Sequence, residues 1–211
     1  ASTVIYSADC PNLREVVRDF PGRLYAYGLS RDAVYTARDV RLTNLSASYE
    51  LVAGGEVVQA VTLHVPGVHN VQNSLGAIAL LSSMGFPYKE FLSYLPEFRG
   101  AGRRLEFKWA QGSRWVVDDY AHHPTEVRAS LNALKPCGRQ ITCVFQPHRY
   151  SRVFSLSNSF GSSFGSADRV IVTDIYGAGE TNTHEVDSGL IEKAVCKAGH
   201  GHVKRLAKEA V

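Results

Sequence analysis

Apolar and polar positions change period several times along this 211-residue chain, and each change marks an element. Val4 to Tyr6 makes a short apolar strand that runs out at Asp9, and Asn12 to Asp19 reads as a helix with Leu13, Val16 and Val17 on its inner face. Between 23 and 65 the period drops to two. "YTARDVRLT" and "SASYELVAGGEVVQAVTLHV", interrupted by Gly54-Gly55, predict antiparallel hairpins. After Pro66-Gly67 the spacing of Val71, Leu75, Ile78 and Leu81 or Ser82 predicts a helix that ends with Gly85 at its C-cap. A second short helix is expected over Tyr88 to Leu95, behind Pro87.

Residues 96 to 104, "PEFRGAGRR", have no period and read as a domain linker. Beyond them come strand-turn-strand ("RLEFKWAQGSRWVVDDY"), a helix over 125 to 135, the strand "ITCVF", a helix over about 150 to 165, the strand "RVIVTDIY" and a helix over 187 to 197. Strands alternating with helices of this length predict a mostly parallel sheet covered on both faces. The fold class is therefore α/β, an N-terminal part with antiparallel hairpins and helices followed by a parallel α/β domain. In such sheets the ligand site lies beyond the carboxyl ends of the strands. Asp118 to His123, Gln146 to Arg152 and Asp174 to Glu180 all fall there.

Each of these clusters has a structural and a chemical reading. Asp118, Asp119, Tyr120, His122 and His123 crowd in front of Pro124, a good first residue for a helix, and caps with Glu126 countering the helix dipole would explain any one of them. All five together suggest a site. In "FQPHRYSR", Arg149 and Arg152 are three apart, which on a helix makes a guanidinium fork for a carboxylate or phosphate. Cations at a helix start oppose its dipole, so an anion is expected nearby. Asn70 and Asn73 fall at the start of the helix after Pro66; Asn70 suits an N-cap, and an amide in the second position could read the paired donor and acceptor of adenine. The loop "YGAGETNTHEVD" reads as structural, and "GHGHV", with His200 and His202, as a solvated tail rather than a metal pair.

Composition narrows the classes. With 45% hydrophobic and 20% charged residues the chain is globular, and a net charge of +3 without a dense Lys/Arg block argues against a nucleic-acid partner. Four cysteines without metal-like spacing suit reduced thiols in the cytoplasm, and no apolar run has the length of a membrane span. Neither G-x-x-x-x-G-K-[ST] nor G-x-G-x-x-G after a strand occurs, so a phosphate cradle for ATP would lie elsewhere. The chain opens at Ala1 in mid-fold, which reads as the inside of a longer protein.

Five motifs in order, "PGVHNVQNSLGAIA", "FRGAGRRLEF", "VDDYAHHPTEV", "FQPHRYSR" and "DIYGAGE", cover residues 66 to 180 and resemble those of the Mur ligases of peptidoglycan synthesis. The resemblance implies that residues 1–98 are the latter part of a central ATPase domain and 99–211 most of a C-terminal Rossmann-like domain. The family's phosphate loop, carbamylated lysine and metal-holding Glu and His match nothing here, nor does its glycine-rich motif near the C-terminus. They would belong to missing parts of the same polypeptide, and this fragment alone is expected to be inactive. Where the commonest form of the double-histidine motif has glycine, this chain has Ala121.

The implied reaction is ATP- and Mg²⁺-dependent amide formation through an acyl phosphate, with the alanine-adding branch favoured and UDP-N-acetylmuramate and L-alanine as substrates. By resemblance Asn70 and Asn73 face the adenine, Arg104 the phosphates, and Asp119 the ribose or hinge. Tyr120, His122, Arg149 and Arg152 form the amino-acid pocket, and Arg104, Asp119 and His122 stand nearest the chemistry. A tripeptide-recycling relative, which shares the double histidine but not "PHRYSR", and a non-catalytic nucleotide- or anion-binding module are the alternatives.

Overall fold

A computed structural model describes residues 2–210 of the protein, which divide into two compact units with the boundary between Gly100 and Ala101. The first is built on a five-stranded sheet in the order β1-β2-β3-β4-β5. Its elements are β1 (Thr3–Ser7), α1 (Pro11–Val16), β2 (Arg23–Tyr27), β3 (Tyr35–Leu42), β4 (Ala47–Ala53), β5 (Glu56–Leu63), α2 (Val68–Ser83) and α3 (Tyr88–Phe91), which passes into a 3₁₀ turn over Leu92–Glu97. From β3 to β5 the strands form the expected antiparallel meander. Gly54 and Gly55, both at positive φ (60° and 90°), provide the two left-handed residues that a tight hairpin needs.

Two expectations fail at the start of the chain. β2 runs parallel to β1 and touches β3 in parallel, because the chain returns through α1 rather than through a hairpin turn. α1 is only six residues long, and in so short a helix Val16 (77% exposed) and Leu13 (39%) face solvent, leaving Val17 alone of the three buried.

α2 follows its predicted stripe: Val71, Leu75 and Ile78 are fully buried, against Leu51, Val61 and Leu63 of the sheet. Its N-cap is Gly67, with φ 94°, rather than Asn70, which sits one turn in and donates from Nδ2 to Pro66 O at 2.8 Å. Gly85, at φ 88°, closes the helix. A buried polar thread pins the helix to the sheet. Ser74 Oγ donates to Val71 O (2.7 Å), which leaves the Ser74 oxygen to accept from the Tyr49 hydroxyl (2.7 Å). Burial pushes the Tyr49 pKa up to about 12, so it remains a donor. Ser74→Ala leaves that hydroxyl unpaired in the core and is expected to cost about 1–3 kcal/mol in a urea titration, against little for Ser83→Ala on the exposed end of α2.

The second unit opens with an antiparallel ribbon, β6 (Glu106–Gln111) and β7 (Arg114–Asp118). There follow α4 (Pro124–Leu134), β8 (Thr142–Phe145), α5 (Tyr150–Phe160), β9 (Arg169–Val172), α6 (Gly189–Lys197) and β10 (Val203–Arg205). β10, β9 and β8 form a parallel sheet in that order. Phe145, Phe160 and Phe164 fill its core with Val153, Val170, Val172, Ile191 and Val195.

Two further expectations are corrected here. β9 stops at Val172, and residues 174–176 bend so that Tyr176 N donates to Pro147 O and Tyr176 O accepts from Arg149 N, both at 2.8 Å. The supposed tail carries β10 instead. His200 Nε2 donates to Ala167 O (2.9 Å) and its Nδ1 accepts from His202 N (3.3 Å), so the imidazole fastens the turn into that strand. No helix of the described residues is long and apolar enough to cross a membrane.

Candidate functional site

The turn from β7 into α4 is organised by two carboxylates. Asp119 accepts from Ala121 N with one oxygen (2.7 Å) and from Leu105 N with the other (2.8 Å). It thereby ties the strand end to the 103–105 turn, where Arg103 and Leu105 hold positive φ. Arg103 lies over the Tyr120 ring at 4.4 Å. Glu126 closes a capping box: its Oε2 accepts from His122 N (2.9 Å) and His123 N (3.1 Å), while His123 Nδ1 accepts from Thr125 N (3.2 Å). Arg104 approaches the other Glu126 oxygen at 3.9 Å.

Burial raises the Glu126 pKa, but the two N–H bonds and the charges of His122 and Arg104 outweigh it and hold the group below the usual carboxylate range. A carboxylate depressed in the folded state stabilises fully above its unfolded pKa of about 4.3, and that contribution is lost as pH falls through the folded value. Glu126→Gln is therefore expected to destabilise the protein at neutral pH, with the gap to the parent closing below about pH 4 in thermal melts across pH.

The start of α5 supplies the opposite wall. Arg149, at φ 70°, is the N-cap rather than a helical residue, so it does not share a helix face with Arg152 in the way the spacing predicts. Glu180 comes back from the loop after β9 to cover this helix end. It accepts from Ser151 N (3.1 Å) and Ser151 Oγ (2.8 Å) and meets Arg149 Nη1 at 3.4 Å. The anion demanded by a basic helix start is thus partly the protein's own.

Arg152 Nη1 donates to His148 O (3.1 Å) and lies 3.2 Å from His148 Nδ1. A guanidinium only donates, so Nδ1 is the acceptor and the His148 proton sits on Nε2, 3.5 Å from the Tyr120 hydroxyl. Burial, reinforced by the charges of Arg152, His122 and Arg149 against the opposing pull of Glu180, lowers the His148 pKa and keeps that acceptor available. His122 is turned the other way. Its Nδ1 lies 2.8 Å from Tyr120 O, a carbonyl that can only accept, so Nδ1 carries a hydrogen, and the nitrogen with a lone pair in the neutral ring is Nε2; Glu126 Oε2 lies 3.6 Å behind Nδ1.

The structure thus gathers Tyr120, His122, Arg149 and Arg152 around one shallow hollow of about 600 Å³, with His148 and Ser151 in its wall. The rings of Tyr120, His122 and His148 stand 5.1–6.0 Å apart. Arg152 has no carboxylate within ion-pair distance among the described residues. Arg104 and Asp119 lie in and beside the turn leading to α4. Asn70 and Asn73 belong to the first unit, where Asn73 Nδ2 reaches Asn70 Oδ1 at 3.5 Å. His148 and Glu180 were visible as residue types inside their motifs, but no local spacing signals that one meets a tyrosine 28 positions earlier and the other a serine 29 positions earlier. A larger hollow of about 1030 Å³, between the β6–β7 ribbon, α4 and β8, contains Asp119 but none of the His and Arg side chains gathered above.

Comparison with known proteins shows the family. The Mur ligase middle domain matches residues 1–81, and the Mur ligase, glutamate ligase domain matches 103–211. The UDP-N-acetylmuramate–L-alanine ligase of Salinibacter ruber is 37% identical over 198 residues, covering 93% of this chain and 42% of the relative. That of Gloeobacter violaceus is 41% identical over 197 residues, with 92% and 42% covered. Among solved structures, the UDP-N-acetylmuramate-alanine ligase of Thermotoga maritima superposes with a TM-score of 0.70 at 28% identity, over 88% of this chain and 39% of that one. MurF from Acinetobacter baumannii, 18% identical with a TM-score of 0.73 over 99% of this chain and 43% of its own, shares the fold. The chain spans about 42% of the length of these curated relatives. Since the two domain matches take in both the α2 asparagines and the whole Tyr120–Arg152 hollow, the chain belongs to the Mur ligase family.

Proposed function

We propose that this chain is part of a cytoplasmic ATP-dependent ligase that joins L-alanine to UDP-N-acetylmuramate in peptidoglycan precursor synthesis. Residues 1–98 are the latter part of its middle domain and 99–211 most of its C-terminal domain. A preceding segment would carry the phosphate loop, and without it the chain is inactive. ATP phosphorylates the lactyl carboxylate, the amine of L-alanine attacks the acyl phosphate, and phosphate departs, leaving ADP and the amide. Mg²⁺ would spread the phosphoryl charge in this chemistry. The described residues offer no group of three or more His, Cys, Asp or Glu side chains for a metal, and none of the roles below passes through one.

The observation that carries the reading is the pairing, in one hollow, of the Arg152 guanidinium, which meets no carboxylate among the described residues, with the His122 ring, held through Nδ1 so that Nε2 is the nitrogen left for a ligand. An α-amino acid presents the matching pair, a carboxylate beside an ammonium that must lose a proton before it can attack. Arg152 takes the carboxylate, flanked by Arg149. His122 Nε2 accepts the ammonium proton, and Glu126 behind Nδ1 steadies the resulting imidazolium. Tyr120 walls the pocket. Asn73 and Asn70 serve the adenine side and Arg104 the phosphates. Asp119 has already committed each oxygen to one N–H bond, so it offers a ribose hydroxyl its remaining lone pairs while holding the 103–105 turn.

The test is phosphate release by the full-length parent with ATP, Mg²⁺ and UDP-N-acetylmuramate, offering L-alanine, glycine, L-serine or L-Ala-γ-D-Glu-diaminopimelate separately. Preferential release with L-alanine is expected. Release with the tripeptide alone would make it the recycling ligase, and none with any acceptor would leave a binding module.

A further inference from the structure

The wall of the hollow carries two guanidiniums, but they are not equivalent. Arg149 is shared with Glu180, whose carboxylate is fixed from two sides by Ser151, while among the described residues Arg152 is bound to neutral acceptors of His148 and to no carboxylate. The loop that delivers Glu180 is itself firmly seated. Tyr176 exchanges backbone bonds with Pro147 and Arg149, Glu180 N donates to Gly177 O (3.0 Å), and Gly177 packs so closely on Tyr150 that a Cβ there would lie 2.7 Å from its ring. Bonds from the Ser151 N–H and hydroxyl, with the Arg149 charge, hold Glu180 below the usual carboxylate range, so it is charged at neutral pH.

From this asymmetry we infer that Glu180 is a specificity-determining residue. By occupying Arg149 it leaves the hollow one uncompensated guanidinium, which suits an amino acid with a single carboxylate and turns away aspartate and glutamate. The inference rests on the amino-acid reading of the hollow. An acceptor's second carboxylate reaching for Arg149 would find that guanidinium already paired, with the Glu180 carboxylate 3.4 Å from it, and like charges brought close to each other are an effective means of rejecting a wrong ligand. Glu126, the other nearby carboxylate, lies behind His122 with both oxygens engaged, and His148, its pKa lowered, adds no positive charge at neutral pH.

The experiment measures kcat/KM of the full-length parent for L-alanine, L-aspartate and L-glutamate, in the unsubstituted protein and in Glu180→Gln and Glu180→Asp, with thermal melts to confirm folding. Glu180→Gln keeps an acceptor for Ser151 but removes the charge. It is expected to raise kcat/KM for an acidic acceptor relative to L-alanine by about tenfold or more, the scale of one charge-assisted hydrogen bond. Glu180→Asp should retain the parent's preference. A Glu180→Gln protein that still uses L-alanine with the parent's selectivity overturns the inference and leaves the amino-acid reading intact. Failure of the parent to use any amino acid overturns both. If the Gln variant does not fold, Glu180→Ala, which leaves the end of α5 open to water, decides by the same ratio.

Discussion

Replacing Arg152 with alanine is expected to raise the KM for L-alanine in the full-length parent by about thirtyfold to a hundredfold while moving the KM for ATP little. The lower end corresponds to about 2 kcal/mol, where the cost of truncating one partner of a desolvated charge pair begins. Arg152 is half-buried in the wall of the hollow, held by two bonds from the same nitrogen to His148, so its guanidinium arrives already oriented and little side-chain freedom remains to be lost on binding. Arg149→Ala should have the smaller effect, because Glu180 already neutralises much of the charge that alanine removes. Steady-state kinetics on both variants decide the order. A larger KM effect from Arg149 than from Arg152 would reverse the roles given to the two arginines. A parallel rise in the KM for ATP would move Arg152 out of the amino-acid pocket.

The largest loss of stability is expected from Phe160→Ala. Phe160 is 1% exposed and its ring packs on Phe145 and Phe164, with the Phe145 centroid at 5.3 Å. Removing a buried phenylalanine costs about 3–5 kcal/mol through lost transfer energy and the cavity left behind. The total stability of a domain is only about 5–15 kcal/mol, so the second unit would come close to unfolding. Space is tight next door as well: a Cβ on Gly161 would stand 2.7 Å from Ala194 O of α6, so the backbone has little freedom to collapse into the hole. The consequence reaches the site, because α5 ends on Phe160 and carries Arg152 near its start. Urea denaturation followed by far-ultraviolet circular dichroism should show the shift. Phe154→Ala, on the same helix but 53% exposed, should change stability by less than about 1 kcal/mol.

Much of this protein was determined by neighbours along the chain. Val71, Leu75 and Ile78 lie on one face of α2 because a helical repeat puts them there. Gly54-Gly55 makes a hairpin because only such residues take two left-handed conformations in succession. Pro124 opens α4 because its missing N–H goes unpaired there, and Glu126 caps it across a single turn. The regular alternation from 104 onward made the α/β class legible for the same reason, as it did the grouping of candidate site residues after β7, β8 and β9.

Tertiary structure decided what depends on partners far along the chain. Whether β2 runs parallel to β1, whether Val16 is covered, and whether the stretch after His202 becomes a third strand all turn on the element that arrives beside each segment, and a local period holds no record of that. The chemistry of the hollow was settled in the same way. Arg149 and Arg152 look alike in "FQPHRYSR", and they became different only when the loop after β9 laid Glu180 against one and His148 turned its ring nitrogen toward the other. Charge compensation is a property of through-space distance, and that distance exists only once the chain has folded.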